Sequence, residues 1–576
     1  MPLTTRRAWR ALASGLLAAA VLAVVASPVA ADPEPEQTPT TRTASVATVT
    51  PGVGPLSIAV IMPIVVPPEP TGLIPAEDLA RYTASFGLLT RQLDAVQGST
   101  VTLAVDPMVF ASIRVLGSSA PESAIAWLAR LEALDAEVFT LAYADADVAA
   151  AARTDTLDVL QPSGFGFALD PADFTPVETA SPSPTPSPEP TAPVDPDAAP
   201  PFPSTEDVLA WSSTLPTIAW PGASGIGPDQ LAPLAAAGYE DVLVSDESVG
   251  APSTPLVTLD GIQGIVTDTG LSSLLGDAAG AVTEAELTSA LEALRAELAA
   301  DATETPGRGI VLTLGRVWPY TMSSLPEALT AINAAASSQL VPLSEILATT
   351  PSSATLAEAA DETERDAAFT DAASDAAAEL QFSSVLADPT VLLDPRRLER
   401  IALYGLGWSS DASGWTDAVT AFHERSQEIT NSIRLERGSD VLQLARNTEF
   451  RVSVSNALEF PVTVRVSIDP KSPILQVAEP VDLTVEPGAT GTAYLKVEAV
   501  ANGEVLVQTD VHSPTGVPLD TGFVRVTVQA EWEGIGTLVV ILLLVAVFGA
   551  GIVRLVLRRR KERRAAAEAP LEDADV

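Results

Sequence analysis

Residues 138–152 read VFTLAYADADVAAAA, an apolar run followed by a Tyr-x-Asp-x-Asp turn and a row of alanines. The run at 138–142 has the composition of a short buried strand, and the alanines favour a helix. A strand that turns straight into a helix is the unit of a parallel sheet, so the fold depends on whether the unit repeats. It does. LSIAVIMPIVV at 56–66 and VTLAV at 101–105 read as strands, with helical spacing at 76–96 and 121–134. Further short strands are expected at 217–220, 242–244, 264–266, 310–314 and 340–343, with helices between several of them. Two of those helices open on capping boxes, Thr283 with Glu286 and Ser324 with Glu327. About eight such strands over 56–350 predict an α/β fold, a (β/α) barrel-like domain or a distorted seven-to-eight-strand version of one. An open doubly wound sheet is the alternative. The stretch SPSPTPSPEPTAP at 181–193 puts proline at every second position, which forces an extended chain that cannot pack in a core. It reads as part of a surface insertion over 176–203 within the same unit.

From 351 to 440 the pattern turns helical, first alanine-rich and acidic, then LLDPRRLERIALYGLGW at 392–408 and WTDAVTAFHERSQEITNSI at 415–433. This predicts a helical extension packed on the barrel. From Phe450 the apolar period becomes two, through Val452 and Val454, then Val462, Val464 and Val466, and on to Val524, Val526 and Val528. About six strands, with a hairpin-type Asn502-Gly503, predict an all-β immunoglobulin-like sandwich over 441–530. Such a domain needs no ligand to be explained and serves as a spacer.

The two ends read as an exported, anchored chain. Arg6, Arg7 and Arg10 precede an apolar run at 11–25 and the small residues Val29, Ala30 and Ala31, the pattern of a secretory signal peptide over 1–31. The Arg6-Arg7 pair fits a twin-arginine signal only loosely, so the general export route is expected. Residues 32–55 lack periodicity and read as a flexible lead-in. Residues 535–553 are 19 without charge, which at ~1.5 Å each match the ~30 Å of a bilayer's hydrocarbon. A transmembrane helix over 535–557 is therefore expected, with Trp532 at interface depth and Arg554, Arg558, Arg559, Arg560 and Lys561 behind it. The positive-inside rule puts the tail at 558–576 in the cytoplasm and the rest outside a plasma membrane crossed once.

Composition narrows the chemistry. The chain carries 32 basic and 74 acidic residues; without the three leader arginines and the seven basic and five acidic residues from Arg554 on, 22 face 69. An exported part near −47 repels nucleic acid and anionic wall polymers alike. No cysteine is present, which excludes disulfides, a lipobox anchor, iron-sulfur sites and thiol nucleophiles. Three lysines against 29 arginines, with abundant alanine, point to a GC-rich genome.

Barrel sites form at the C-terminal ends of strands, which here nominates Asp106, Tyr143, Asp145, Asp147, Trp220, Asp246, Asp268, Arg316 and Trp318. Two carboxylates from this set, about 5–9.5 Å apart across the mouth, would suit a glycosidase. An Asp just before a helix also caps it, and Asp145 and Asp147 are read first as a helix start at a barrel mouth whose catalytic partners are missing. Trp220 and Trp318 sit in Trp-Pro turns that serve as sugar-stacking platforms or as caps on the barrel core. No nucleotide-binding glycine fingerprint follows any strand.

The stretch AWPGASGIGPDQLAPLAAAGYEDVLVSD from Ala219 resembles polysaccharide-deacetylase-like barrels, in which an Asp and two His hold a metal beside an Asp base and a His acid. The resemblance covers about 30 residues, and the chain departs from that pattern. Its two histidines, His423 in the helical extension and His512 in the sandwich, lie far from any barrel mouth, and no HxxxH exists. No metal or other cofactor is therefore expected. The whole layout, from leader and barrel through SVSNALEFPVTVRV and VEAVANGEV to the arginine-rich tail, resembles an uncharacterised family of actinobacterial membrane-anchored proteins. Genes of that family often lie beside one for a lipid II flippase. The resemblance implies a role at the cell envelope and supplies no reaction. The expectation is a single-pass extracytoplasmic scaffold or regulator of envelope biogenesis, with a barrel that binds a wall glycan or a membrane protein such as the flippase. The alternatives are a carbohydrate-active hydrolase using paired carboxylates among Asp106, Asp145, Asp147, Asp246 and Asp268, and a purely structural surface protein.

Overall fold

The apolar run at 56–66 becomes the centre of a parallel sheet. The computed structural model describes residues 54–174, 202–250, 252, 254–319, 322–360, 362–436, 441–443, 446–529 and 533–565. The leader, nearly all of the lead-in, most of the proline-rich stretch, Trp532 and the end of the tail lie outside the described residues. The first strands in chain order are β1 (Leu56–Ile64), β2 (Thr102–Val105), β3 (Val138–Thr140), β4 (Ile218–Ala219), β5 (Asp241–Ser245), β6 (Leu256–Leu259), β7 (Ile262–Thr267), β8 (Gly309–Thr313), β9 (Ser338–Leu340) and β10 (Ser352–Ser353). Seven of them pair in parallel in the order β4-β5-β7-β8-β1-β2-β3. The eighth expected run is the short β9, which joins the edge of β1 ahead of β2.

One face of this sheet is lined by Ala59, Ile61, Ala104, Phe139, Ile218, Leu243, Ile265 and Val311, which gather into a single buried cluster. The other face, through Ile58, Val60, Met62, Leu103 and Val105, packs on helical residues such as Leu79, Leu93, Phe110 and Trp127. Burial on both faces explains why these strands read as continuous apolar runs. The sheet curls without closing, a half-barrel rather than the full barrel expected. Its edge strands β3 and β4 are three and two residues long and exchange no ladder bonds. Thr214 spans the gap instead, its N–H donating to the Val138 carbonyl at 3.0 Å and its hydroxyl accepting from the Val138 N–H at 2.8 Å. Two strands escaped the sequence reading: β6 runs antiparallel to β7 through a tight Asp260-Gly261 turn with φ of 40° and 99°, and the two-residue β10 pairs with β6.

The helices Thr363–Phe382, Thr390–Leu403 and Ala412–Thr430 follow. Then come β11 (Ile433–Leu435), β12 (Val441–Gln443), β13 (Asn447–Asn456), β14 (Val462–Pro470), β15 (Leu475–Val477), β16 (Val481–Val485), β17 (Thr490–Ala499), β18 (Gly503–His512) and β19 (Pro518–Val528). They form two sheets, β11-β13-β17-β15 and β12-β19-β18-β14-β16, antiparallel except where β12 meets β19. Val452, Val454 and Leu495 of the first sheet share one core with Val464, Val466, Val507 and Val526 of the second. Phe382, Val385, Leu392 and Ile429 of the helical segment enter that same core, so the helices seat on the sandwich as well as on the barrel. The last helix, Glu533–Ala565, contains a span over Leu538–Arg563 long and apolar enough to cross a membrane.

Candidate functional site

Every strand end that the sequence nominated starts a turn, and the turns after β2, β3, β4 and β8 converge. Asp106 ends β2 and caps the helix Pro107–Val115, its Oδ1 accepting from Met108 N at 2.9 Å. The backbone N–H groups of Ala144 and Asp145 also donate to it. Tyr143 is buried after β3, its hydroxyl donating to the Gly72 carbonyl at 2.7 Å, and burial pushes its phenol well up. Ala144 and Asp145 then adopt left-handed backbone, φ 58° and 47°, a conformation that costs roughly 1–2 kcal/mol at each such residue.

That double turn separates the two aspartates. Asp147 is the helix start: its Oδ1 accepts from Ala149 N at 3.1 Å and Ala150 N at 3.2 Å, capping the helix Val148–Arg153. Asp145 is not. It faces Arg316, which follows β8, with Nε 2.6 Å from Asp145 Oδ2. Arg316 also donates from Nη2 to the Trp220 carbonyl at 3.1 Å and lies 4.6 Å from the centre of the Trp220 ring. One guanidinium thus ties the ends of β8, β3 and β4 across the side of the half-barrel that the ladder leaves open. Asp145 is held above the usual carboxylate range by burial, an effect that Arg316 opposes.

The remaining candidates stand apart. Asp246 and Asp268 end β5 and β7 and form their own half-buried pair; Asp246 Oδ1 accepts from the Thr269 hydroxyl at 2.6 Å. Asp268 caps the helix Thr269–Ala279 and meets Arg308 at 3.5 Å. Trp318 is 6% exposed and therefore caps the core instead of offering a platform. His423 lies on the helix Ala412–Thr430, 2.7 Å from Asp375, and His512 ends β18. Among the described residues no group of three or more acidic, histidine or cysteine side chains is placed to hold a metal.

Sequence reasoning missed the cover over this centre. The turn from Ala402 to Trp408 lies across it: the Tyr404 carbonyl accepts from Asp147 N at 2.9 Å, and Ala146 bridges to Gly405. The Tyr404 hydroxyl bonds Thr156 at 2.8 Å, and its ring stacks on Phe369 with centres 3.9 Å apart. A Cβ at Gly405 would lie 3.2 Å from the Ala144 carbonyl oxygen, and one at Gly407 would lie 3.1 Å from the Pro68 ring, so both glycines permit close approach. The space left beside Asp106, Asp145 and Glu69 is about 10 Å³, room for no more than a single water. Asp147 Oδ2 is buried with no hydrogen-bond partner, facing Gly222, where a Cβ would lie 3.1 Å away. The only sequence signal for this cover was the Gly-Leu-Gly-Trp run after a helix.

Burial, followed by the charge of Asp145, pushes Asp106 up to about 8. A carboxyl titrates near 3.9 in an unfolded chain, so from about pH 4 to about pH 8 the folded state holds the extra proton and stability falls as pH rises. Asp241 titrates at about 6, and Asp375 raises His423 above its ordinary 6.5, so the share of Asp106 over pH 6–8 is the difference in slope between parent and an Asp106 variant. Asp106→Asn keeps an acceptor for Met108 N and is expected to flatten a slope of up to ~1.4 kcal/mol per pH unit there. Unfolding midpoints of parent and variant across that window check this; parallel slopes would sink the assignment.

No curated protein matches the chain. Among solved structures, native α2-macroglobulin from Escherichia coli, from domain MG7 to the C-terminus, is 15% identical over 17% of this chain and 17% of its own length, with a TM-score of 0.15. WR4, a C. elegans MSP family member, is 8% identical over 17% of this chain and 98% of its own, with a TM-score of 0.14. The FixG-related protein from Vibrio parahaemolyticus is 14% identical over 16% and 88%, with a TM-score of 0.12. Likeness at these scores carries no inference. Family membership is plainer, because one family model matches nearly the entire chain, residues 33–572, and so this protein belongs to the family of unknown function DUF6049.

Proposed function

We propose that the chain is a single-pass, extracytoplasmic scaffold or regulator of cell-envelope biogenesis, whose half-barrel binds a glycan or a protein and whose acidic centre is structural. The observation that carries the reading is the closure of the strand ends by the 402–408 turn, which leaves about 10 Å³ beside Asp106 and Asp145. A hydrolase with paired carboxylates needs them across a cleft that admits a sugar and a water. Here their oxygens instead accept helix-start N–H groups or pair with Arg316.

The layout supports an envelope role. The two antiparallel sheets act as an immunoglobulin-like spacer, and the anchor follows within five residues of Val528. Basic residues behind the apolar span favour a cytoplasmic tail and a plasma-membrane location, with the acidic bulk outside. The resemblance to an actinobacterial membrane-anchored family makes a lipid II flippase or a wall-synthesis protein the first partner to seek.

Crosslinking the full-length protein in its native membrane, followed by affinity purification and mass spectrometry, tests this. Envelope-synthesis proteins should be enriched over a control anchored by the same last helix. In parallel, parent and Asp145→Asn protein should show the same background turnover of wall glycan. Turnover by the parent that Asp145→Asn abolishes would replace the scaffold reading with the hydrolase.

A further inference from the structure

The outer face of the β12-β19-β18 edge carries three large exposed apolar side chains, Leu442, Leu506 and Phe523. Antiparallel pairing sets Leu506 opposite Arg525, Gln508 opposite Phe523 and Glu504 opposite Thr527, while Leu442 of β12 also pairs with Thr527. With a side-chain period of two, Leu442, Leu506 and Phe523 point away from the core that Val505, Val507 and Val526 fill. They are 56%, 46% and 60% exposed. Diagonal neighbours across a strand pair lie about 7–8 Å apart, within reach of large side chains, so Leu506 and Phe523 form one patch. The opposite sheet differs: its outward Arg451 stacks on Tyr494 and Arg446 pairs with Glu498, charges satisfied within the chain.

From this face we infer that it pairs with the same face of a second copy of the chain, related by a two-fold axis. The inference rests on the membrane-anchor part of the proposed function. Two exposed charges flank the patch, Arg525 and Glu504, and among the described residues neither forms an ion pair. A two-fold rotation sets Arg525 of each copy against Glu504 of the other, the self-complementarity that an isologous interface requires. Elsewhere the exported part is strongly acidic and repels another copy, so a charge-balanced apolar face is where two can meet. β19 runs almost directly into the anchor: Val528 and Glu533 are five residues apart, at most ~3.6 Å each. Two copies in one membrane therefore present the face at the same height, which raises its effective concentration.

The chain has no cysteine, so single cysteines report the face directly. Full-length Leu506→Cys and Phe523→Cys proteins, treated in native membranes with a bifunctional maleimide, should give a dimer band well above that of Tyr494→Cys on the opposite sheet. In the Leu506→Cys background, Arg525→Glu should cut that band about 25-fold, because the two-fold axis turns two charge pairs repulsive at roughly fivefold each, and added Glu504→Arg should restore it. Retention after alkaline carbonate is measured on the same membranes. Protein that is retained yet crosslinks no more from the face than from Tyr494→Cys overturns the pairing and leaves the anchor intact. Release by carbonate overturns the anchor reading itself. An adduct with a different protein in place of the dimer also overturns the pairing.

Discussion

Arg316→Met is expected to destabilise the half-barrel by about 3–5 kcal/mol, the cost of leaving a buried charge without its partner. Asp145 is the charge left behind, with its side chain 7% exposed and Arg316 Nε at 2.6 Å as its cation. Methionine fills much of the volume but supplies neither the charge nor the donor to the Trp220 carbonyl, so the turns after β3, β4 and β8 lose their common tie. Removing both charges should hurt less than removing one. Arg316→Met with Asp145→Asn is expected to recover at least about half of the loss, since no unpaired ion then stays in the interior. Hydrogen exchange over 138–147 reads the opening locally, which suits a chain with more than one core. Protection there unchanged by Arg316→Met would show that Thr214 alone holds the open side.

How much of this centre was legible depends on what kind of information each residue carries. The strand ends were readable because burial on both faces makes β1, β2, β3 and β8 continuous apolar runs. Their Asp residues could be listed for the same reason. The division of labour between Asp145 and Asp147 was not readable, since both precede the same alanine row. It is decided by left-handed backbone at Ala144 and Asp145, which turns the chain so that Asp147 meets the helix N–H groups and Asp145 meets Arg316. No local preference announces such a conformation at alanine.

The omissions have separate physical causes. β6 was hidden because a four-residue strand offers too little pattern, although Asp260-Gly261 between two apolar runs was a usable hairpin signal. In the sandwich, β11, β12 and β15 are three residues each, too short to display a period of two, so nine strands were read as six. The cover at 402–408 was invisible for another reason. Gly405 and Gly407 matter through what they approach, Ala144 and Pro68, which are more than 200 residues away in sequence. Close backbone approach is a tertiary fact, and its sequence trace is only a pair of glycines.

The cover is held in place by helices whose own cohesion makes the second large prediction. Arg396 and Glu379 form a buried pair, side chains 4% and 1% exposed, joining the helices Thr390–Leu403 and Thr363–Phe382 at 2.8 Å. Arg396 also pairs with Glu399, donates to the Phe422 carbonyl at 2.9 Å and lies 3.9 Å from the centre of the Phe422 ring, which adds the third helix. Arg396→Met should therefore cost about 3–5 kcal/mol, with Glu379 stranded in the interior. Exchanging the two residues, Arg396→Glu with Glu379→Arg, should fail to rescue, because a glutamate cannot donate to the Phe422 carbonyl. The effect should travel both ways along the chain. Phe382 and Leu392 sit in the sandwich core, while Tyr404 closes the aspartate centre, so faster hydrogen exchange is expected at 462–466 and at 143–150 together. Loss of protection confined to the three helices would mean that barrel and sandwich are each stable without the segment that joins them, and the closed mouth would then be a property of the barrel alone.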